Sequence, residues 1–150
     1  MVDKSWILLD EETGLHVGWY FWLRVLDEVN RAARYGAPFA LLLLEIVTPS
    51  GCPARAAEEA ASQVPDAIRS TDLGGVIGVG RIGVLLPHQD VEAAQFARQR
   101  ILARIEAASP RGVRWESRLL HYPGDAAEIS NLLTTDHRAQ GDTSRVERLA

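Results

Sequence analysis

The chain has a single cysteine, Cys52, so no intrachain disulfide can form, and such usage fits a reducing compartment. It is short of basic residues: 16 Lys and Arg against 20 Asp and Glu leave a formal net charge of -4. A general nucleic-acid or membrane-surface binder would carry the opposite excess, although a local basic pocket for a small anion is compatible with this balance. Long hydrophobic runs are also lacking. The longest, Phe39–Leu44, falls far short of the roughly 20 residues that span a bilayer. The opening Met1–Asp10 has too brief an apolar run for a signal peptide. A cytoplasmic protein with neither nucleic acid nor membrane as partner is expected. His16, His88, His121 and His137 show no metal-ligand spacing, and no Ser–His–Asp arrangement stands out. What is present is ordinary for one soluble domain: 150 residues, 47% of them hydrophobic.

Residues 1–9 read as a lead-in, with Trp6–Leu9 a short strand or docked segment. Gly18–Tyr35 is predicted as a helix. Leu23, Leu26, Val29 (or Asn30) and Ala33 give its apolar stripe, and Arg24, Asp27, Glu28, Arg31 and Arg34 fill the other faces. Gly36 stops it and Pro38 forbids continuation. Phe39–Val47 has neither helical nor alternating period, and so reads as a strand buried on both faces. The loop Thr48–Pro53 leads to a helix over Ala54–Arg69 that Pro65 kinks or splits. Leu73–Leu86 is a hairpin turning near Val79–Gly80, and Pro87 ends its second strand. Asp90 caps a long helix over Val91–Ala108. A strand over Val113–Tyr122 and a short helix over Ala126–Leu133 follow, and residues 134–150 read as a frayed polar tail. Helices mixed with both a crossover and a hairpin predict a single α/β domain with a mixed central sheet flanked by helices.

Three stretches carry a resemblance. Asp10-Glu-Glu-Thr-Gly-Leu15 is similar to an Asp-x-Leu-Thr-Gly-Leu opening. Arg69-Ser-Thr-Asp72 has the form Arg-x-x-Asp. Gly78-Val-Gly-Arg-Ile-Gly-Val-Leu-Leu-Pro87 lines up with Gly-Gly-Asp-Glu-Phe-Ala-Val-Leu-Leu-Pro. Their order and spacing over residues 10–133 resemble the GGDEF domain of diguanylate cyclases. That resemblance implies a ferredoxin-like palm shared with nucleotide cyclases. It also implies a bacterial signalling role. In that family two GTP-loaded domains face each other, and metal ions on acidic side chains activate a 3′-hydroxyl.

The sequence departs from the family where the chemistry sits. The degenerate signature is Gly78, Val79, Gly80, Arg81 and Ile82, with Gly80 and Arg81 in place of acids. A guanidinium cannot ligate magnesium, which demands hard oxygen donors. Glu45 occupies the first metal-acid position and Val47 the second. The stretch from Glu45 to Asp72 is short and lacks the family's guanine-contacting Asn and Asp. The C-terminal segment lacks the phosphate-binding Lys. No cyclase activity, metal or cofactor is therefore expected.

What the resemblance leaves is the inhibitory product site. Arg69 and Asp72 match its Arg-x-x-Asp, and Arg100 falls where a second Arg on the next helix completes it. The ligand implied is cyclic di-GMP. The chemistry is apt, since Arg offers a bidentate fork and Asp accepts from guanine N–H groups. A helix end and a turn would use Arg69 and Asp72 equally well. Gly78-Val-Gly-Arg-Ile-Gly83 also matches G-x-G-x-x-G, but a proline-ended strand follows it where a dinucleotide fold needs a helix. Trp19, Tyr20, Phe21 and Trp22 cannot all face one core from consecutive helical positions. Trp19, Tyr20 and Trp22 are therefore candidate interface residues, for a protein partner or a homodimer, with packing against Trp6 as the alternative. The reading is a non-catalytic binding module. The alternatives are a pure interaction or scaffold domain, and a residual GTP-binding enzyme with a metal at Glu45.

Overall fold

A computed structural model describes residues 8–47 and 54–137. The predicted Trp6 contact, Cys52, the loop over 48–53 and the tail beyond 137 lie outside them. Five strands form one mixed sheet: β1 (His16–Val17), β2 (Phe39–Val47), β3 (Leu73–Gly78), β4 (Arg81–Pro87) and β5 (Arg114–Tyr122). Their spatial order is β1-β3-β4-β2-β5. β1 runs parallel to β3, and the other neighbours are antiparallel. The helices are α1 (Gly18–Tyr35), α2 (Ala54–Ala61), α3 (Val64–Ala67), α4 (Val91–Ala107) and α5 (Ala126–Leu132). This is the predicted α/β architecture, with the two-residue β1 added.

β2 is the spine. Its whole length pairs with β5, and Phe39–Glu45 also pairs with β4. Side chains alternate across a strand, so each half of its sequence seals a different core. Ala40, Leu42 and Leu44 meet Ala60, Val64, Ala97, Ile101 and Trp115 on the side of α2, α3 and α4. Phe39 and Leu41 meet Phe21, Trp22, Val25 and Ile129 on the side of α1 and α5. A strand covered on both faces has no reason to alternate, which explains the unbroken apolar run.

α1 corrects the sequence reading. Its inward stripe is Phe21, Trp22, Val25 and Ala32, with Glu28 also buried, while Leu23 and Leu26 are each 39% exposed. The helix carries two apolar stripes, and the one with the aromatic pair buries more area and faces the sheet. Trp22, grouped above with Trp19 and Tyr20 as an interface candidate, is wholly buried, its indole edge-on to Phe21 with centroids 5.3 Å apart. Gly36 ends the helix as expected, at φ 72°, its N–H donating to the Ala32 carbonyl.

Pro65 does split the second helical stretch. α2 stops at Ala61, and Pro65 opens the four-residue α3, where no N–H is needed. The Asp90 carboxylate accepts from the Ala93 N–H at 2.8 Å, the predicted cap of α4. Leu133–His137 form a π-helical turn against α1, so residues 134–137 continue from α5 where a frayed tail was expected. Its leucines explain this, since Leu132 and Leu133 pack on the α1-side core.

α1 can approach the sheet because two glycines face it. Gly75 and Gly83 are direct cross-strand partners on β3 and β4. A Cβ on Gly75 would lie 2.5 Å from the Phe21 Cβ, and one on Gly83 would lie 2.6 Å from its ring. The pair forms a bare platform for Phe21. Gly75→Ala is expected to cost about 1–3 kcal/mol through overpacking. A urea melt should show a lower midpoint with an unchanged slope. Gly124→Ala is the control, because its Cβ would meet nothing closer than the His121 carbonyl at 3.7 Å. Equal midpoints for the two variants would refute the platform.

Candidate functional site

The strand register decides what stands at the metal-acid position. Glu45 on β2 lies directly opposite Arg81 on β4 and Glu116 on β5. Directly paired residues share a face, so an arginine and a second glutamate flank Glu45 across the sheet. Glu45 is exposed and Arg81 is half-buried. Opposite charges directly across a ladder attract by about 0.2–1 kcal/mol. Val47 offers no oxygen donor in its side chain. Among the described residues no group of three or more His, Cys, Asp or Glu converges in a metal-holding arrangement.

The hairpin tip is set by packing as well as by composition. Val79 and Gly80 form the turn, with Val79 93% exposed. Gly80 has φ 66°, and its carbonyl accepts from the Ile46 N–H at 2.9 Å. A Cβ on Gly80 would lie 2.4 Å from the Ile46 Cγ2. The tip is thus closed down on β2, and a side chain at Gly80 would require the Ile46 methyl to shift.

Arg69 and Asp72 are brought together in the loop between α3 and β3. The Asp72 carboxylate is fully buried. Its Oδ2 accepts from the Arg69 backbone N–H at 3.0 Å and lies 3.6 Å from the Arg69 Nε. The Asp72 N–H in turn donates to the Arg69 carbonyl at 3.0 Å. The motif therefore folds on itself as a tight turn. Asp72 Oδ1 is buried and makes no hydrogen bond within the described chain. The Arg69 side chain is half exposed. In the Gln89 amide orientation that satisfies both its ends, the oxygen accepts from Arg69 and the nitrogen donates to the Ala93 carbonyl at 3.3 Å.

Arg100 reaches the same loop by another route, its Nε donating to the Ala67 carbonyl at 2.8 Å. It buttresses the end of α3 and does not line the cavity. That cavity, about 380 Å³, is bounded by Gly14, His16, Pro65, Arg69, Asp72 and Leu73 among others, near the lower end for small-ligand sites. His16, Gln89 and Phe96 were not singled out from sequence. His16 belongs to a strand too short to show a period. Gln89 acts through a contact distant from any motif. Phe96 is 62% exposed on α4, one turn from Arg100, and an exposed aromatic beside Arg is the signal that could have marked it. Trp19 and Tyr20 remain at the surface, with Tyr20 accepting from the Arg24 guanidinium at 3.1 Å.

No protein-family model matches the chain, and no characterised protein matches it in sequence. Solved structures do match. The diguanylate cyclase SiaD of Pseudomonas aeruginosa, solved with its activator SiaC, superposes with a TM-score of 0.68 at 18% identity over 88% of this chain; this chain spans 58% of that one. The GGDEF domain of DgcB from Caulobacter crescentus, solved with cyclic di-GMP, gives a TM-score of 0.71 at 14% identity, covering 93% of this chain and 92% of that one. The FimX GGDEF domain from P. aeruginosa gives 0.67 at 17% identity, covering 92% and 94%. The chain has the GGDEF fold. No helix among the described residues is long and apolar enough to cross a membrane.

Two outcomes are expected. Gly80→Asp should cost about 2 kcal/mol or more in a urea melt and less in an Ile46→Ala background, because the methyl it strikes is then gone; an equal cost in both backgrounds would refute the closed tip. Burial lowers the His16 pKa, the hydrogen bond to the Leu8 backbone opposes this, and the nearby Arg24 charge adds to the lowering. A lowered imidazole pKa means the unfolded chain takes up the proton first. The stability from neutral His16 is therefore present above its unfolded value of about 6.5 and is lost as pH falls through the lower folded value. Thermal melts from pH 8 to pH 5 should fall more steeply for the native chain than for His16→Gln.

Proposed function

We propose that this chain is a non-catalytic GGDEF-fold signalling module. It binds cyclic di-GMP at the Arg69–Asp72 site and relays occupancy to a protein partner. The observation that carries the non-catalytic half is the register that pairs Glu45 with Arg81, a basic residue beside the position where the family would hold its metal-binding acid. The closed glycine tip supports it, since a side chain at Gly80 would strike the Ile46 Cγ2 unless that methyl moved. The binding half is supported by the half-exposed Arg69 guanidinium beside a buried carboxylate oxygen in want of a donor. DgcB, with the same fold, was solved with cyclic di-GMP, and SiaD with an activator protein. Binding acts by shifting populations of the loop between α3 and β3, which carries both residues. Arg100 serves this site by holding the loop through Ala67, in place of the direct ligand contact that the sequence suggested.

A ligand-free interaction domain is the second reading. The tight turn in which the Arg69 N–H and one Asp72 carboxylate oxygen close the loop favours it.

Calorimetric titration distinguishes the two. Cyclic di-GMP is expected to bind with micromolar affinity, and Arg69→Ala to weaken it roughly tenfold to a hundredfold, the worth of charge-assisted hydrogen bonds. GTP with magnesium should yield no cyclic dinucleotide by chromatography. Product formation would overturn the non-catalytic reading. Titrations without heat for either nucleotide would leave the interaction domain.

A further inference from the structure

α1 has more apolar surface than one core can use. Its inward stripe is already sealed against the sheet. On the outer side Trp19, Leu23 and Leu26 are each 39% exposed, and exposed Asn30 and Ala33 continue the line. The steps are four, three, four and three residues, the spacing of a coiled-coil seam. Leu23 and Asn30 take the a positions, and Trp19, Leu26 and Ala33 the d positions. Of the other exposed large apolar residues, Tyr35 ends α1 off this line, and Val79 at the hairpin tip, Val91 and Phe96 lie on other elements and form no such line. A seam of this period fits the groove of another helix, and a lone polar Asn at an a position is a device that fixes pairing.

We propose that this seam docks on the same seam of a second copy of the chain, the two α1 helices running antiparallel about a two-fold axis. The flanking residues choose the direction. In a parallel pair each e position meets the partner's g position. Here the g positions are Trp22, wholly buried in its own core, and partly buried Val29. Asp27 and Arg34 at e would then meet no polar group. In an antiparallel pair e flanks e. With Leu23 layered on the partner subunit's Leu26, and Leu26 on the partner subunit's Leu23, Trp19 covers the partner subunit's Asn30. The indole N–H then has an amide oxygen to donate to. Tyr20 comes beside the partner subunit's Asp27. Its hydroxyl already accepts from Arg24, which leaves its proton for that carboxylate. Each contact occurs twice, as an isologous interface requires.

The 18-residue helix is about 27 Å long. One helix face buries less than the roughly 800 Å² per partner of a standard interface, so the dimer is weak and concentration-dependent. Sedimentation velocity of the full chain from about 10 µM to about 1 mM should show the monomer giving way to dimer. Leu26→Glu should abolish the shift while circular dichroism stays native, because the side chain is at the surface. Tyr20→Phe should weaken association several-fold. In a Cys52→Ser background, a mixture of Leu23→Cys and Leu26→Cys chains should form a disulfide between unlike copies faster than either forms one alone. A monomer at every concentration would overturn the proposal, as when the chain's own residues 1–7 cover the seam. So would a dimer that Leu26→Glu leaves intact. Faster self-cross-linking of Leu26→Cys alone would place the helices parallel and overturn the stated geometry.

Discussion

The antiparallel pairing of β2 with β4 and β5 is the constraint on which the rest of the structure depends. Seven residue pairs on one edge and nine on the other lock its register. A slip of one residue would turn Phe39 and Leu41 into the core now filled by Ala40 and Leu42, exchanging large side chains for small ones on each side of the sheet. The same register sets Glu45 across from Arg81. The charge pairing around Glu45 follows from a hydrophobic decision made several residues earlier in the strand.

The Arg69–Asp72 turn shows how a short motif can serve two ends. One carboxylate oxygen closes the loop, and the other is left buried without a partner. Gln89 and Arg100 then hold the loop from the side of α4. These contacts make the loop a defined object with a cavity on its far side.

Much of this was legible in the residues. The unbroken run Phe39–Leu44 announced a strand covered on both faces, Gly36 and Pro65 marked where helices end and begin, and Asp90 marked a cap. α1 misled because it carries two apolar stripes, and periodicity alone does not say which one faces inward. The aromatic stripe wins by area, a comparison that needs the sheet on the page. β1 escaped because two residues have no period. At the candidate site, the pairing of Arg69 with Asp72 was readable from spacing. The route of Arg100 to Ala67 was not, because its helix position gave no hint of the carbonyl it would meet. The reason for glycine at position 80 lies in Ile46, a residue distant in sequence.

The bare platform of Gly75 and Gly83 has a mechanical consequence. With no side chains between them, Phe21 and the sheet move as one body, and the first strand that Phe21 touches begins at Leu73, the residue after Asp72. A push or pull on α1 therefore has almost no cushion to absorb it before it reaches the root of that loop. The helix behaves as a lever whose short arm ends beside the cavity.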